Sequence, residues 1–249
     1  MYEDLSADLA NQITRRFEQI MDNHTRADST LKAIVKRMKA GKATQMDVNK
    51  YADFVGRAGS SAMKQVLKLE ALPDATMYRE IADQTITPVL ERMWQNVNSV
   101  ALNQMKAEDA TKGLNIGIRT GFKPKRRIAE VVNMVAGQTT QEAIDNALTD
   151  PVIATARKYY DDFLMENADL RESLGFNQRV IRHYDDKGLH NGKTPCEWCL
   201  AKEGEWSMEE AHANGVFNRH PGCGCTIVVF YPDHTDVQVD WTRNEWSSV

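Results

Sequence analysis

Residues 220–231 read His-Pro-Gly-Cys-Gly-Cys-Thr-Ile-Val-Val-Phe-Tyr. From Thr226 onward the run is β-branched and aromatic with Pro232 behind it, which predicts a strand. Its first half carries a histidine and a C-x-C pair to the mouth of that strand. Upstream, Cys196-Glu197-Trp198-Cys199 follows Pro195 as a C-x2-C, and Arg179-Val180-Ile181-Arg182-His183-Tyr184 alternates as a second strand leading toward it. Between the pairs, Ser207-Met208-Glu209-Glu210 is a capping box that opens a helix of one or two turns, closed by Gly215. Residues 176–249 therefore predict a small α+β knob built around a Cys/His cluster.

Everything before this knob reads as helix. Leu5, Leu9, Ile13, Phe17, Ile20 and Met21 recur at three- and four-residue spacing and form one apolar stripe. Leu31, Ile34, Val35 and Met38 mark a second helix that stops at Gly41. Thr44-Gln45-Met46-Asp47 caps a third that runs to about Leu72. A further periodic segment spans 77–105, with Pro88 predicting a kink or break inside it. Gly113, Gly117, Gly121 and Pro124 then cluster where helical spacing is lost, an extended elbow over 113–125. Helix signals return with Thr139-Thr140-Gln141-Glu142 and with Asp150-Pro151, whose helix reaches roughly Ser173. The expected architecture is mainly α: an elongated multi-helix body (1–112, the elbow 113–125, then 126–175) followed by the α+β knob.

The composition agrees with such a chain. At 249 residues the length corresponds to between one and two domains of ~150 residues. Hydrophobic residues make up 42% and charged residues 27%, which excludes a wholly disordered chain and a disulfide-dense mini-scaffold. No window reaches the ~20 consecutive apolar residues of a membrane-spanning helix. The acidic start Met1-Tyr2-Glu3-Asp4 shows no secretory signal, so a cytoplasmic chain is expected. A formal net charge of -4 argues against attraction of the whole molecule to DNA, leaving local basic patches.

All 4 cysteines lie between 196 and 225, in two close pairs. Thiolate and imidazole are the ligands zinc prefers, and four of them close a tetrahedral structural site. Cys196, Cys199, His220, Cys223 and Cys225 give five candidates for four places, so whether His220 binds metal or caps a turn stays open. Disulfides and reduced, unligated thiols are the alternatives. Enzymatic readings fail on missing partners. Pro195-Cys196-x2-Cys199 matches half of the zinc deaminase pattern, but the upstream H-x-E is lacking: His183 precedes Tyr-Asp and His190 precedes Asn-Gly. A thioredoxin-like pair lacks its βαβ setting. No metalloprotease, serine hydrolase, phosphate-loop or dinucleotide motif occurs. The expectation is a non-enzymatic protein without a small-molecule substrate.

Lys123, Lys125, Arg126 and Arg127 form a basic patch that is a candidate for contacting DNA phosphates, against the plainer reading of a solvated helix start. Lys32, Lys36, Arg37, Lys39 and Lys42 line the polar side of the second helix, as a solvated face does. Trp241 and Trp246 in the polar tail are candidate interface anchors.

The cluster also resembles a known family. Cys196-x2-Cys199 with Trp198 inside it, Gly204, and the run Val216-Phe217-Asn218-Arg219-His220-Pro221-Gly222-Cys223-Gly224-Cys225-Thr226-Ile227 resemble the C-terminal motif of the phage-Mu-F-like minor head proteins, as does the Trp241 to Trp246 segment. The closest variety is the minor capsid proteins of tailed phages and prophages of low-GC Gram-positive bacteria. The motif covers about 55 residues, and Gly224 departs from relatives that carry arginine or aspartate there. The resemblance implies a structural component of the phage head, acting in head morphogenesis beside the portal protein and other head proteins and in some cases travelling with packaged DNA. Its implied location is the virion, with host cytoplasm during assembly. The alternative from the residues alone is a zinc-stabilised nucleic-acid-binding module using the 123–127 patch.

Overall fold

The computed structural model describes residues 3–121, 123–184 and 196–231. Trp241 and Trp246 lie outside them. The chain divides into two compact units, Met1–Tyr160 and Asp161–Val249. No described helix is long and apolar enough to cross a membrane.

The first unit is helical. It comprises α1 (Glu3–Ala27), α2 (Ser29–Lys39), α3 (Gln45–Val66), α4 (Arg79–Thr111), α5 (Lys125–Val135), α6 (Gln141–Ala147) and the opening turns of α7 (Asp150–Ser173). The stripe expected on α1 buries Leu9, Ile13 and Phe17, and α1, α3 and α4 pack on one another around Val48, Ala52, Val55, Val89 and Met93. Asp28 caps α2 through Leu31 N–H, and the Thr44/Asp47 capping box opens α3. Two expectations are revised. α3 ends at Val66, and the chain to Ala75 runs in two short 3-10 turns. α4 continues through Pro88 without a break. Pro88 is exposed, while buried Ile86, Val89 and Leu90 beside it hold the helix to the core.

α3 and α7 approach at Gly56. A Cβ there would stand 2.8 Å from Ile153 Cα, so the contact is backbone against backbone. One turn away, the buried Arg157 donates from Nε to Asp53 Oδ1 at 3.0 Å, and Arg57 donates to Asp53 Oδ2 at 2.8 Å. At the α2–α3 corner, Arg37 donates to both Asp47 oxygens (2.8 and 2.5 Å), and Thr44 N–H donates to Oδ2 at 3.0 Å.

The second unit is the α+β knob. From Asp161 it takes the rest of α7, then β1 (Arg179–His183), α8 (Glu197–Leu200), β2 (Gly204–Ser207), α9 (Met208–Ala213) and β3 (Thr226–Phe230). The sheet order is β2-β1-β3, antiparallel throughout, with Val180 opposite Trp206 on one side and Val229 on the other. β1 alternates, with Val180 and Arg182 buried, whereas all five residues of β3 are buried.

Two outcomes follow. Gly56→Val forces the α3–α7 backbones apart and lowers stability by ~2–3 kcal/mol in urea denaturation, whereas Gly117→Ala, where a Cβ meets nothing within 4 Å, shifts it by less than ~0.5 kcal/mol. Burial works to raise the Asp47 carboxyl, but the Arg37 guanidinium and the Thr44 amide outweigh it and hold it below the ordinary carboxylate range. A depressed folded-state pKa contributes stability that is present above the unfolded value and lost as pH falls through the folded one. The stability gap between the parent and Asp47→Asn at pH 7 is therefore expected to close below about pH 4, read as denaturation midpoints across pH.

Candidate metal centre

Each side chain of the cluster is placed by a local device. Cys196 caps α8: its Sγ accepts from Cys199 N–H at 3.4 Å, and this one-turn helix turns both sulfurs of the C-x2-C the same way. The second set hangs from the turn before β3, where Cys223 N–H donates to His220 O at 3.1 Å and Gly222 takes a φ of 76°, left-handed backbone that suits glycine. His220 Nδ1 lies 2.7 Å from Pro221 O. A carbonyl only accepts, so Nδ1 carries the proton and Nε2 presents its lone pair. That lone pair faces two sulfurs, Cys199 Sγ at 3.0 Å and Cys196 Sγ at 3.2 Å. Cys199 Sγ in turn stands 3.9 Å from Cys223 Sγ.

The five expected residues thus come together in two overlapping trios, Cys196/Cys199/His220 and Cys199/Cys223/Cys225, and within each the ligand atoms lie within 4.8 Å of one another. Cys199 belongs to both. All four cysteines are free thiols, and all but Cys196 are buried. These Cys/His groups are able to hold a metal ion.

Two arginines to which the sequence reading gave no role complete the site. Arg219 has a wholly buried side chain paired with Asp161 of α7, through Nε to Oδ2 and through Nη2 to Oδ1 at 2.9 Å, and its Nη1 donates to Cys225 O at 2.6 Å. Burial opposes its charge, yet Asp161 holds its pKa above the ordinary value. Arg182 projects from β1 with 1% of its surface exposed. It donates to Val216 O, to Asn218 O at 2.8 Å and to Cys223 Sγ at 3.3 Å, and its guanidinium lies 4.9 Å from the Trp198 ring centroid. No carboxylate among the described residues pairs with it.

A buried cation is stabilised by a counter-charge, and the acidic group that the described residues bring to Arg182 is the Cys223 thiol. Contacts from the Cys199 and Cys225 thiols, and against burial the Arg219 and Arg182 charges, drive the Cys223 thiol far below its ordinary value, whereas contacts with Cys223 and Cys225 together with burial drive Cys199 far above. Without a cation in their midst, the clustered sulfurs cannot all ionise. A bound dication removes that restriction, because coordinated thiols deprotonate outright. A dication held by three thiolates and a neutral imidazole would carry one net negative charge beside the Arg182 guanidinium. Donor set and surroundings therefore fit a metal.

The 123–127 patch is more encumbered. Lys123 pairs with Glu91, while Arg126 and Arg127 reach Glu130 at 3.1 and 3.0 Å. Three of its four cations thus already face carboxylates, and Lys125 opens α5. Comparisons with protein-family models, curated proteins and solved structures find no match to this chain.

Truncating the partner of a buried charge leaves that charge uncompensated. Asp161→Ala is expected to cost the knob ~3–5 kcal/mol, read as loss of hydrogen-exchange protection over β1 and β3, whereas Asp161→Asn, which keeps an acceptor, loses less.

Proposed function

We propose that this chain is a minor head protein of a tailed bacteriophage, a non-enzymatic structural component that acts in head assembly near the portal, with a C-terminal knob held closed by a structural zinc ion. The observation that carries the reading is the use made of the motif residues. Of the residues that carry the resemblance to the phage-Mu-F-like minor head proteins, Cys199, Arg219, Cys223, Cys225 and Thr226 are buried in the knob, with the half-buried His220 and the exposed Cys196 closing on them. A motif spent mostly on packing and on a ligand cluster supports a folding role over a catalytic one.

Zinc is favoured by ligand chemistry and spacing. Sulfur at about 2.3 Å and imidazole nitrogen at about 2.0–2.1 Å, arranged tetrahedrally, put ligand atoms about 3.5–3.8 Å apart. The S···S distance of 3.9 Å and the S···N distances of 3.0 and 3.2 Å bracket that range. His220 Nε2 faces two sulfurs at once, as a shared metal requires and a general base serving one nucleophile does not. A knob with three short strands has a small core, which a cross-link supports. Packaged DNA is a secondary contact in this reading, since most of the 123–127 cations are engaged by Glu91 and Glu130.

The reading is tested in two parts. Protein purified without chelator is expected to carry about one zinc per chain, released as the thiolates protonate in acid, with the knob becoming protease-sensitive while the helical circular dichroism stays. Cys199→Ser, at the ligand common to both trios, reproduces the loss. A knob that keeps its protease resistance after complete metal removal overturns the zinc assignment. Quantitative mass spectrometry of gradient-purified proheads and virions from the source phage is expected to find the chain in low copy number, and absence from both particles overturns the head assignment.

A further inference from the structure

We propose that Cys196 is a site of oxidative modification: hydrogen peroxide converts it, together with Cys199, to a Cys196–Cys199 disulfide that opens the metal centre. The inference rests on the zinc reading above and is independent of the head assignment.

Three of the four thiols are shielded. Cys199, Cys223 and Cys225 are 0, 0 and 1% exposed, whereas Cys196 is exposed. An oxidant arriving from solvent therefore meets Cys196 first. The thiol that traps the oxidised sulfur stands one helical turn away. Cys199 N–H and Leu200 N–H both donate to the Cys196 carbonyl, at 3.0 and 3.1 Å, and close that turn. The Cys196 and Cys199 sulfurs lie within 4.8 Å of each other, while Cys223 and Cys225 share a trio with Cys199 and not with Cys196. Residues three apart on a helical turn have Cα atoms about 5 Å apart, inside the range of about 4.4–6.8 Å that a disulfide spans. Side-chain rotation is then enough to form the bond.

The Cys196 thiolate attacks one peroxide oxygen, the O–O bond breaks, and hydroxide leaves, giving a sulfenic acid. The Cys199 thiolate attacks that sulfur, so that the S–S bond forms, the S–O bond breaks and a second hydroxide leaves. The two thiolates give up two electrons, and the peroxide accepts them.

The place of Cys199 turns this local oxidation into loss of the whole site, because Cys199 is common to both trios. The thiolate is the metal ligand, so the disulfide leaves His220 in one trio and Cys223 and Cys225 in the other. Five candidates become three, one fewer than the four that close a tetrahedral zinc site. Loss of one thiol leaves four. The fifth candidate thus covers the loss of a single ligand but not of a pair. A reducing cytoplasm keeps such a centre closed, and an oxidising medium opens it.

The test treats the zinc-loaded full chain with hydrogen peroxide beside a chromophoric zinc chelator and locates disulfides by mass spectrometry of proteolytic peptides. About one zinc is expected to be released per Cys196–Cys199 disulfide formed, and to be regained on reduction with dithiothreitol and added zinc. Before peroxide, iodoacetamide is expected to label Cys196 roughly tenfold faster than the other three cysteines. Cys196→Ser keeps four candidate ligands and is expected to bind zinc and release it roughly tenfold more slowly under peroxide. A chain that takes up no zinc overturns the zinc reading and this proposal with it. A loaded chain that keeps its ion under peroxide, or loses it while the disulfide forms elsewhere, overturns this proposal alone.

Discussion

The knob depends on the compensation of two buried guanidinium groups. Arg219 is neutralised conventionally, by a carboxylate on α7. Among the described residues, Arg182 is answered by carbonyl dipoles, an aromatic face and the sulfur of Cys223. A desolvated cation without an ionised partner costs several kcal/mol, so negative charge on the sulfur cluster would stabilise the arrangement. That coupling links the strand, the two cysteine turns and α7 into a single electrostatic unit, in which removing any member leaves another member's charge exposed to a low dielectric. It also explains why a site with so many thiols sits beside arginines. The cations favour the thiolate form that binds metals, and a bound metal would in turn let several thiolates coexist.

Much of this was legible from local rules and part of it was not. β1, β3, the Ser207 cap and the span of α7 follow from period, β-branching and capping chemistry, which act over a few residues. β2 was missed because Gly-Glu-Trp-Ser carries no β-branched residue and is a strand only by virtue of its pairing with β1. α8 was missed because a single turn has no period to detect. The convergence of Cys196, Cys199, His220, Cys223 and Cys225 was visible from spacing, since close pairs of soft ligands have few other uses. The burial and partners of the two arginines were not visible, although Arg219 lies in the quoted motif. Charged residues in a strand and beside a histidine read as surface, and their burial is set by partners that sequence does not place: Asp161 lies 58 positions from Arg219 and Cys223 lies 41 from Arg182. Arg179, two residues before Ile181 on the same strand, does follow the surface expectation and meets Glu205 at 2.9 Å.

The helical unit obeys a different constraint. Its tightest point is steric, where Gly56 lets α3 lie against the α7 backbone, and the nearby Asp53–Arg157 pair is sheltered by that closeness. Pro88 teaches the complementary lesson. A residue that ends helices in isolation is carried inside a 33-residue helix when it faces solvent and its neighbours are anchored. In both places tertiary packing decided what local propensity left ambiguous.

The position of Arg182 on the central strand has a consequence for fidelity of assembly. Side chains on a strand alternate, so sliding β1 by one residue against its neighbours would turn Arg182 outward and bring Ile181 or His183 to the sulfur side. An apolar core tolerates such a slip poorly but gradually, since one branched aliphatic replaces another. Here the misregistered sheet would confront the thiolates with a hydrocarbon or a ring in place of a guanidinium. The Arg182–cluster contact would therefore disfavour a slipped register through charge as well as shape.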